Sequence, residues 1–257
     1  MTDIAQSSDT PSTSGALWRE WLETLRIVVL GVLGAGAIHT VLFQPFTIPS
    51  SSMEPGLVTG DYVVTSKFAY GWSWASPPVM GPKFKGRLFG RDPERGDVVV
   101  FRLPRDPNQT WVKRVIGLPG DRVQVRGGLV WINGVALAQD IVGETWDHDT
   151  PDRRVTLARE TLPNGRVHTI YDGGSDLPGD DTEATVVPAG HYLMMGDNRD
   201  NSLDSRWPAS VGVGLLPAEN IVGRAEVVVA SWEPGASLFK PWTWVRLQTD
   251  RFWKRVV

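Results

Sequence analysis

The stretch TWVKRVIGLPGDRVQVRGGLVWINGVAL, residues 110–137, decides the fold class. It contains short runs rich in β-branched side chains, and Gly-Asp, Gly-Gly and Asn-Gly pairs separate them. Such runs favour β-strands, and Asn133-Gly134 is a strong signal for a two-residue hairpin turn. The stretch therefore predicts antiparallel strands joined by tight turns.

The same pattern of short β-branched runs and turn residues continues on both sides of this stretch. Runs such as DVVVFRLP and NIVGRAEVVVASW resemble it, Asn164-Gly165 marks another turn, and residues 55–235 lack helical periodicity. We therefore predict a mostly β protein, with an antiparallel β-sheet body formed by residues 47–121 and 190–232. Residues 122–189 are predicted to be an inserted β-rich cap, whose acidic, turn-rich part reads as solvated loops.

The chain before the body contains one long uncharged run, IVVLGVLGAGAIHTVLFQPF, residues 27–46. Its length matches the hydrocarbon core of a bilayer, so we predict a transmembrane helix over residues 26–46 after a disordered tail, residues 1–25. A cleavable export signal is the alternative, because Ala35-Gly36-Ala37 has the form of a cleavage site. The apolar run continues through Phe43, which favours a permanent anchor.

The orientation of this helix follows from its cationic flanks. Arg19 and Arg26 precede the apolar run, and the next cationic residue is Lys67. The positive-inside rule then predicts a cytoplasmic N-terminus and a body on the outer side. His39 lies within the span, where an ionisable group is a functional candidate, although a neutral histidine bonded to a backbone carbonyl is the simpler interpretation.

The C-terminal segment, residues 233–257, has a different composition. Five cationic side chains and one carboxylate accompany three tryptophans, Trp242, Trp244 and Trp253, in its last eighteen residues. Basic, tryptophan-bearing segments lie well at membrane surfaces. The alternative is a terminal helix that packs its tryptophans against the β body.

Composition excludes several function classes. The chain has no cysteine, which excludes disulfides and cysteine nucleophiles. Its net charge of −3 lacks the basic excess typical of nucleic-acid-binding proteins. None of its four histidines stands at metal-ligand spacing from another. The run that begins at Asp197 fails as a calcium loop, because Ser202 and Pro208 stand where glycine and glutamate are needed. We therefore predict no metal and no cofactor.

The run FTIPSSSMEPGLVTGD, residues 46–61, places three serines between two prolines. A serine attacks only when a base takes its proton. His148, His168 and His191 stand in weak contexts, yet a Ser-His-Asp triad stays open. Lys113 is the other candidate, because strand alternation places it on an otherwise apolar face where desolvation lowers the pKa of an amine.

Four ordered blocks resemble type I signal peptidases (leader peptidases), the membrane-anchored proteases with a Ser/Lys dyad. The blocks are IPSSSMEPGLVTGD, RGDVVVF, WVKRVIGLPGD and GDNRDNSLDSR, which begin at residues 48, 95, 111 and 196. The family pattern Ser-x-Ser-Met-x-Pro implies that Ser52 is the nucleophile. It further implies that Lys113 is the general base, and that Ser50 and the Ser52 backbone N–H hold the oxyanion. Ser51 would be a dispensable spacer.

The resemblance also assigns supporting and substrate-binding residues. Ser202 would orient Lys113, and Asp204 would form a salt bridge with Arg206. Framework roles are implied for Asp197, Asn198 and Arg114, and shallow pockets for small substrate residues would be lined by Phe46, Ile48, Leu57 and Val112. Gly56 departs from the family, in which threonine is frequent here, and is expected to loosen a strand without affecting the chemistry.

The resemblance implies a membrane-bound serine endopeptidase that removes N-terminal signal peptides from exported preproteins after a small-x-small (Ala-x-Ala) site. Its partners would be signal peptides, the lipid bilayer and a nearby secretion translocon, with no nucleic acid. Its place would be the inner (cytoplasmic) membrane, spanned once, with the catalytic domain on the outer, periplasmic face. The alternatives are a soluble self-cleaving protein of the phage-repressor type and a tethered β module in which the serines are structural.

Overall fold

A computed structural model describes residues 13–77, 82, 84–147, 152–233, 235–236 and 240–257. The predicted disorder of residues 1–12 and the candidate His148 lie outside these ranges. The chain forms one long helix and fourteen strands within them. These are α1 (Thr13–Val41), β1 (Phe43–Thr47), β2 (Asp61–Ser66), β3 (Val98–Arg102), β4 (Thr110–Gly117), β5 (Arg122–Arg126), β6 (Leu129–Ile132), β7 (Val135–Ala136), β8 (Ala138–Trp146), β9 (Arg154–Thr161), β10 (Val167–Asp172), β11 (Thr185–Val186), β12 (His191–Met195), β13 (Leu215–Pro217) and β14 (Ile221–Ser231).

The helix bounds correct the sequence prediction at both ends. Helix α1 begins at Thr13, inside the predicted disordered tail, because residues such as Ala16, Leu17 and Glu20 are good helix formers. It ends at Val41 rather than at residue 46, because Pro45 disfavours helix and the following residues pair with β2. Its segment Trp18–His39 has 22 residues and contains an 18-residue window with a mean hydropathy of 1.6, and about 33 Å of helix is long enough to span a bilayer.

Seven strands form the main sheet, in the order β1-β2-β14-β3-β4-β12-β13, and each neighbouring pair is antiparallel. The strands between Arg122 and Val186 form two further antiparallel sheets, β11-β5-β6-β7 and β10-β9-β8. The predicted fold class, mostly β with one N-terminal apolar helix, is confirmed. The division into a body and an inserted cap stays a prediction.

The core consists of aliphatic and aromatic side chains on the faces of the main sheet. Phe101, Val115 and Tyr192 centre one cluster, while Ile116 and Met195 join a second cluster with side chains of β5 and β6. Strand β4 is therefore buried on both faces from Lys113 onward. An amine on this part of β4 is removed from water.

Candidate active site

The serine triplet lies where β1 leaves the sheet and a short 3₁₀ turn, Ser51–Met53, begins. Met53 and Leu57 are fully buried beneath this turn and pack with Ile48, so the turn is fixed to the core. Ser50 is exposed, Ser52 is half-buried and Ser51 is buried. The turn thereby directs three adjacent hydroxyls into three different environments.

Lys113 meets Ser52 across the sheet. Its Nζ atom lies 2.5 Å from Ser52 Oγ and forms a hydrogen bond with it, although 61 residues separate the two in sequence. The lysine is only 3 % exposed. Ser50 Oγ lies 3.4 Å from Ser52 Oγ, at the far limit of hydrogen bonding. The structure thus brings together Ser50, Ser52 and Lys113, which the sequence prediction selected from distant blocks.

Burial lowers the pKa of Lys113 to about 8. The charges of Asp204 and Asp197 oppose that shift, and the charge of Arg206 adds to it. With a pKa of about 8, about one amine in ten is neutral at pH 7, compared with about one in 2,500 for an ordinary lysine. The amine therefore suits a general base near neutral pH.

The loop of residues 196–206 closes over the back of the triplet. The Asn198 backbone N–H donates to the Ser52 carbonyl at 3.2 Å, and Asn201 Nδ2 donates to Ser51 Oγ at 2.9 Å. A Cβ on Gly196 would stand 2.3 Å from Ser202 Oγ and 2.4 Å from the Ser52 carbonyl, so only glycine fits there. Sequence reasoning missed Gly196, and its position directly before the polar run DNRDNS was the available signal.

Two of the buried ion pairs that hold this loop involve residues that the resemblance assigned to the site. Arg206 contacts Asp204 at 2.9 Å, as the resemblance implied, and Asp204 also accepts the Gly196 N–H at 3.0 Å. Arg114 binds both carboxylate oxygens of Asp197, at 2.8 and 2.6 Å. Burial raises the pKa of Asp204, but the positive charge of Arg206 and hydrogen bonds to the carboxylate outweigh it, so this pKa is lowered. Asp204 is thus ionised at neutral pH.

Three expectations about individual residues need correction. Ser202 makes no hydrogen bond to Lys113: its buried hydroxyl has no partner among the described residues, because the amine is directed at Ser52. Ser51 is more than a spacer, since its buried hydroxyl accepts a hydrogen bond. Gly56 lies in a turn rather than a strand, and a Cβ there would stand 2.9 Å from Asp197 Oδ2.

A groove of about 530 Å³ opens beside Ser52 and Lys113. Three of the four predicted pocket residues line it, namely Phe46, Ile48 and Val112. Leu57 does not line the groove: its side chain is fully buried in the core, and its role in substrate binding stays a prediction. The remaining lining residues are Thr47, Pro49, Ser50, Val100, Gln109, Thr110, Trp111, Asn201 and Leu203.

The groove lies between two sheet edges. Within the described residues, strand β1 pairs only with β2, and the first four residues of β4 pair with β3 alone. Both edges line the same groove, so the sheet curls until its first and fifth strands face each other across it. Unpaired edges of this kind accept an extended peptide as an added strand.

The described histidines do not supply a base for any serine. His168 is buried, and its Nε2 lies 3.4 Å from a carboxylate oxygen of Glu160. Burial, together with the charges of Arg114 and Arg199, lowers its pKa far below the usual value, so the ring stays neutral. His191 Nδ1 lies 3.1 Å from the Ala189 carbonyl. Among the residues that the structure describes, no His–Ser hydrogen bond exists to begin a triad.

The sequence is similar to known proteins over most of its length. Residues 18–232 match the family described as "Signal peptidase, peptidase S26". "Signal peptidase I" of Rickettsia akari is 36 % identical over 87 % of this chain and 84 % of its own, and that of Rickettsia canadensis is 36 % identical over 84 % and 81 %. A solved signal peptidase I from Enterococcus faecalis is 29 % identical over 52 % of this chain and 97 % of its own, with a TM-score of 0.32.

Proposed function

The chain belongs to the signal peptidase family, peptidase S26, and on that premise we propose that it cleaves signal peptides from preproteins with Ser52 as nucleophile and Lys113 as general base. Membership makes the protein a serine endopeptidase, and its N-terminal apolar helix fits a membrane anchor. The observation that carries the proposal is the hydrogen bond from the buried Lys113 amine to the Ser52 hydroxyl.

The chemistry proceeds in two steps on these groups. The neutral Lys113 amine takes the proton of Ser52 Oγ while that oxygen attacks the scissile carbonyl carbon. The Ser50 hydroxyl and the Ser52 backbone N–H donate to the resulting oxyanion, and such donors contribute about 3 kcal/mol each. The Lys113 ammonium then protonates the leaving amine of the mature protein. Water, deprotonated by the same amine, hydrolyses the ester that links Ser52 to the signal peptide.

We assign Ser202 a supporting role toward Lys113. Its hydroxyl is buried beside the reacting serine, and a buried hydroxyl without a partner costs about 1–3 kcal/mol. Such a group at an active site calls for a functional explanation. A Lys113 ammonium that has released Ser52 to the substrate would find an acceptor in Ser202 Oγ.

The shape of the groove supports cleavage after small residues. Its walls beside Ser52 are apolar side chains from β1 and β4, Phe46 and Val112, with Ile48 at its base. A precursor that binds as a strand between β1 and β4 would direct alternate side chains into this apolar part, and we propose that small apolar side chains such as alanine are preferred there. This supports the small-x-small rule.

The arginines on the N-terminal side of the apolar helix support our proposal that the protein lies in the inner membrane with its N-terminus in the cytoplasm. Arg19 and Arg26 precede the uncharged run that begins at Ile27, and no lysine or arginine follows until Lys67. The body would then meet precursors on the periplasmic face, near the translocon from which they emerge. The apolar helix and the family match both disfavour a soluble self-cleaving protein of the repressor type.

Cleavage by the full chain in detergent micelles tests the assignment. A preprotein with an Ala-x-Ala site is expected to be cut after the second alanine, and Ser52→Ala and Lys113→Ala are each expected to lose at least about a thousandfold in kcat. Lys85→Ala and Ser210→Ala, which alter exposed residues, serve as controls. Turnover by either active-site variant at the wild-type rate would refute the dyad.

A further inference from the structure

The carboxyl end of helix α1 is joined to the body by three hydrogen bonds. The last turn of a helix leaves backbone carbonyls without intrahelical partners. Lys67 Nζ donates to the His39 carbonyl at 3.1 Å, Trp72 Nε1 donates to the Val41 carbonyl at 2.7 Å, and the Lys67 backbone N–H donates to the Leu42 carbonyl at 2.9 Å. The body therefore caps the membrane helix with its own side chains.

Lys67 is a buried ionisable group that the proposed mechanism does not use. Its side chain is fully buried, and burial together with the positive charge of Arg102 lowers its pKa to about 8. Most of the amine is still protonated at pH 7. A positive charge beside the last carbonyls of a helix is favoured by the helix dipole. Burial of an ammonium is costly unless it is well paired, so its placement here calls for a structural or functional reason.

Every segment between this junction and the nucleophile is held by hydrogen bonds. Strand β1 follows the helix after one residue and pairs with β2 along its whole length, from Phe43 opposite Ser66 to Thr47 opposite Tyr62. The Ile48 N–H then donates to the Asp61 carbonyl at 2.8 Å, directly before the serine turn. Only Pro49 and Ser50 separate this hydrogen-bonded stretch from the turn that carries Ser52, so we infer that the orientation of the helix sets the position of the nucleophile.

We propose that Lys67 and Trp72 are positioning residues which lock the membrane helix to the sheet and thereby select the bond that is cut in a membrane-inserted precursor. The proposal rests on the proposed signal peptide cleavage. A precursor held by its own apolar segment presents its peptide bonds at fixed distances from the bilayer. A nucleophile held at a fixed distance from the bilayer reaches only one of these peptide bonds. A misplacement of the reacting groups by about 1 Å can cost about a hundredfold in rate.

A precursor with two identical Ala-x-Ala sites in tandem tests the proposal. The full chain in lipid vesicles is given the membrane-inserted precursor, and the two mature N-termini are counted by mass spectrometry. Wild type is expected to favour one site at least tenfold. Lys67→Met, which keeps the apolar stem and removes the donor, and Trp72→Phe, which removes the indole N–H, are each expected to reduce that preference at least threefold. A ratio of products does not depend on how much enzyme is folded.

The same tandem sequence as a short soluble peptide provides the comparison. Wild type and both variants are expected to cut it with one common product ratio, because no bilayer holds the peptide. Lys85→Met and Trp131→Phe, which alter an exposed lysine and a tryptophan on β6, are the matched controls. An unchanged ratio on the inserted precursor, or an equal change on the soluble peptide, would overturn the proposal.

The possible results distinguish failure of the positioning role from failure of the proposed signal peptide cleavage. If wild type cuts neither substrate, the assignment of signal peptide cleavage fails. If wild type cuts both and the variants keep its site preference, only the positioning role fails. If Lys67→Met does not fold and cuts neither substrate, Trp72→Phe decides, since it keeps an aromatic ring beside Phe89 while it removes the indole N–H.

Discussion

The three hydroxyls of Ser50, Ser51 and Ser52 have different partners, and this difference assigns their roles. Ser52 accepts from Lys113, Ser51 accepts from Asn201 in a buried position, and Ser50 is exposed at 3.4 Å from Ser52 Oγ. Exposure at the groove leaves the Ser50 hydroxyl free to meet substrate. The buried hydroxyl of Ser51 cannot do so.

Ser50→Ala and Ser51→Ala are therefore expected to act on different quantities. Loss of an oxyanion donor lowers kcat about a hundredfold and leaves KM within about threefold, because the donor acts on charge that develops only in the transition state. Ser51→Ala is expected to lower the free energy of unfolding by about 1 kcal/mol with a small change in kcat. Steady-state kinetics and chemical denaturation measure the two effects. A raised KM with unchanged kcat in Ser50→Ala would instead make Ser50 a substrate-binding residue.

The sequence was informative about Lys113 and less so about its neighbours. Strand alternation alone placed Lys113 on an apolar face, because side chains alternate strictly in a strand. Choosing Ser52 from the triplet required the family pattern. Leu57 and Ser202 lie in turns and loops, where no periodicity fixes the direction of a side chain, so the roles that the resemblance implied for them could not be derived from a strand pattern.

At the scale of elements, the loop of residues 196–206 depends on buried ion pairs with its neighbours. Arg114 extends from β4 to Asp197, and Arg199 binds both carboxylate oxygens of Glu160 on β9. Tyr171 of β10 adds a backbone hydrogen bond to the Asp197 carbonyl at 2.9 Å. The strands between the third and fourth sequence blocks thus help to hold the loop behind Ser52.

Removal of one partner from such a pair is expected to be costly. Arg114→Met leaves the Asp197 carboxylate buried and without its cation, which typically costs about 3–5 kcal/mol. Denaturation of the full chain in detergent measures this loss. Arg154→Met is the matched control: its pair with Glu144 is exposed on both sides and contributes at most about 1 kcal/mol. Equal destabilisation by the two variants would contradict the importance of the buried pair.

Most elements were predictable because local pattern and turn chemistry agree along the body. Asn133 and Gly134 both have positive φ values, 53° and 84°, as the predicted turn between β6 and β7 requires. The helix ends were not predictable from apolar runs. The apolar run of residues 27–46 continues into β1, so hydrophobicity alone does not show where the helix stops.

At the scale of the whole molecule, the C-terminal segment is docked while its tryptophans face outward. Arg251 binds Asp61 at 2.6 Å, and Val256 packs against the cluster beneath the serine turn. Trp242 and Trp253 are nevertheless 76 % and 73 % exposed. Trp244 is 47 % exposed, so the exposure of Trp242 and Trp253 alone disfavours packing of the tail tryptophans on the body, and membrane contact stays a prediction.

Brominated lipids test this contact. The triple variant Trp242→Ser, Trp244→Ser, Trp253→Ser is compared with wild type in vesicles. The difference between their fluorescence emission is the contribution of these three tryptophans. If the tail contacts the membrane interface as predicted, brominated acyl chains are expected to quench this emission. The melting temperature is expected to change little, since the exposed rings contribute little to packing. Unquenched emission would place the segment in water.

The central claim is that a neutral Lys113 amine takes the proton of Ser52, and the pH dependence of kcat/KM on a soluble peptide tests it most directly. Because burial lowers the pKa of this amine to about 8, the ammonium form increases as pH falls below 8. The predicted result is a plateau above pH 9 and a tenfold loss per pH unit below about pH 7. A flat profile from pH 6 to 9, or an acid limb centred near the ordinary histidine value of about 6.5, would contradict the account.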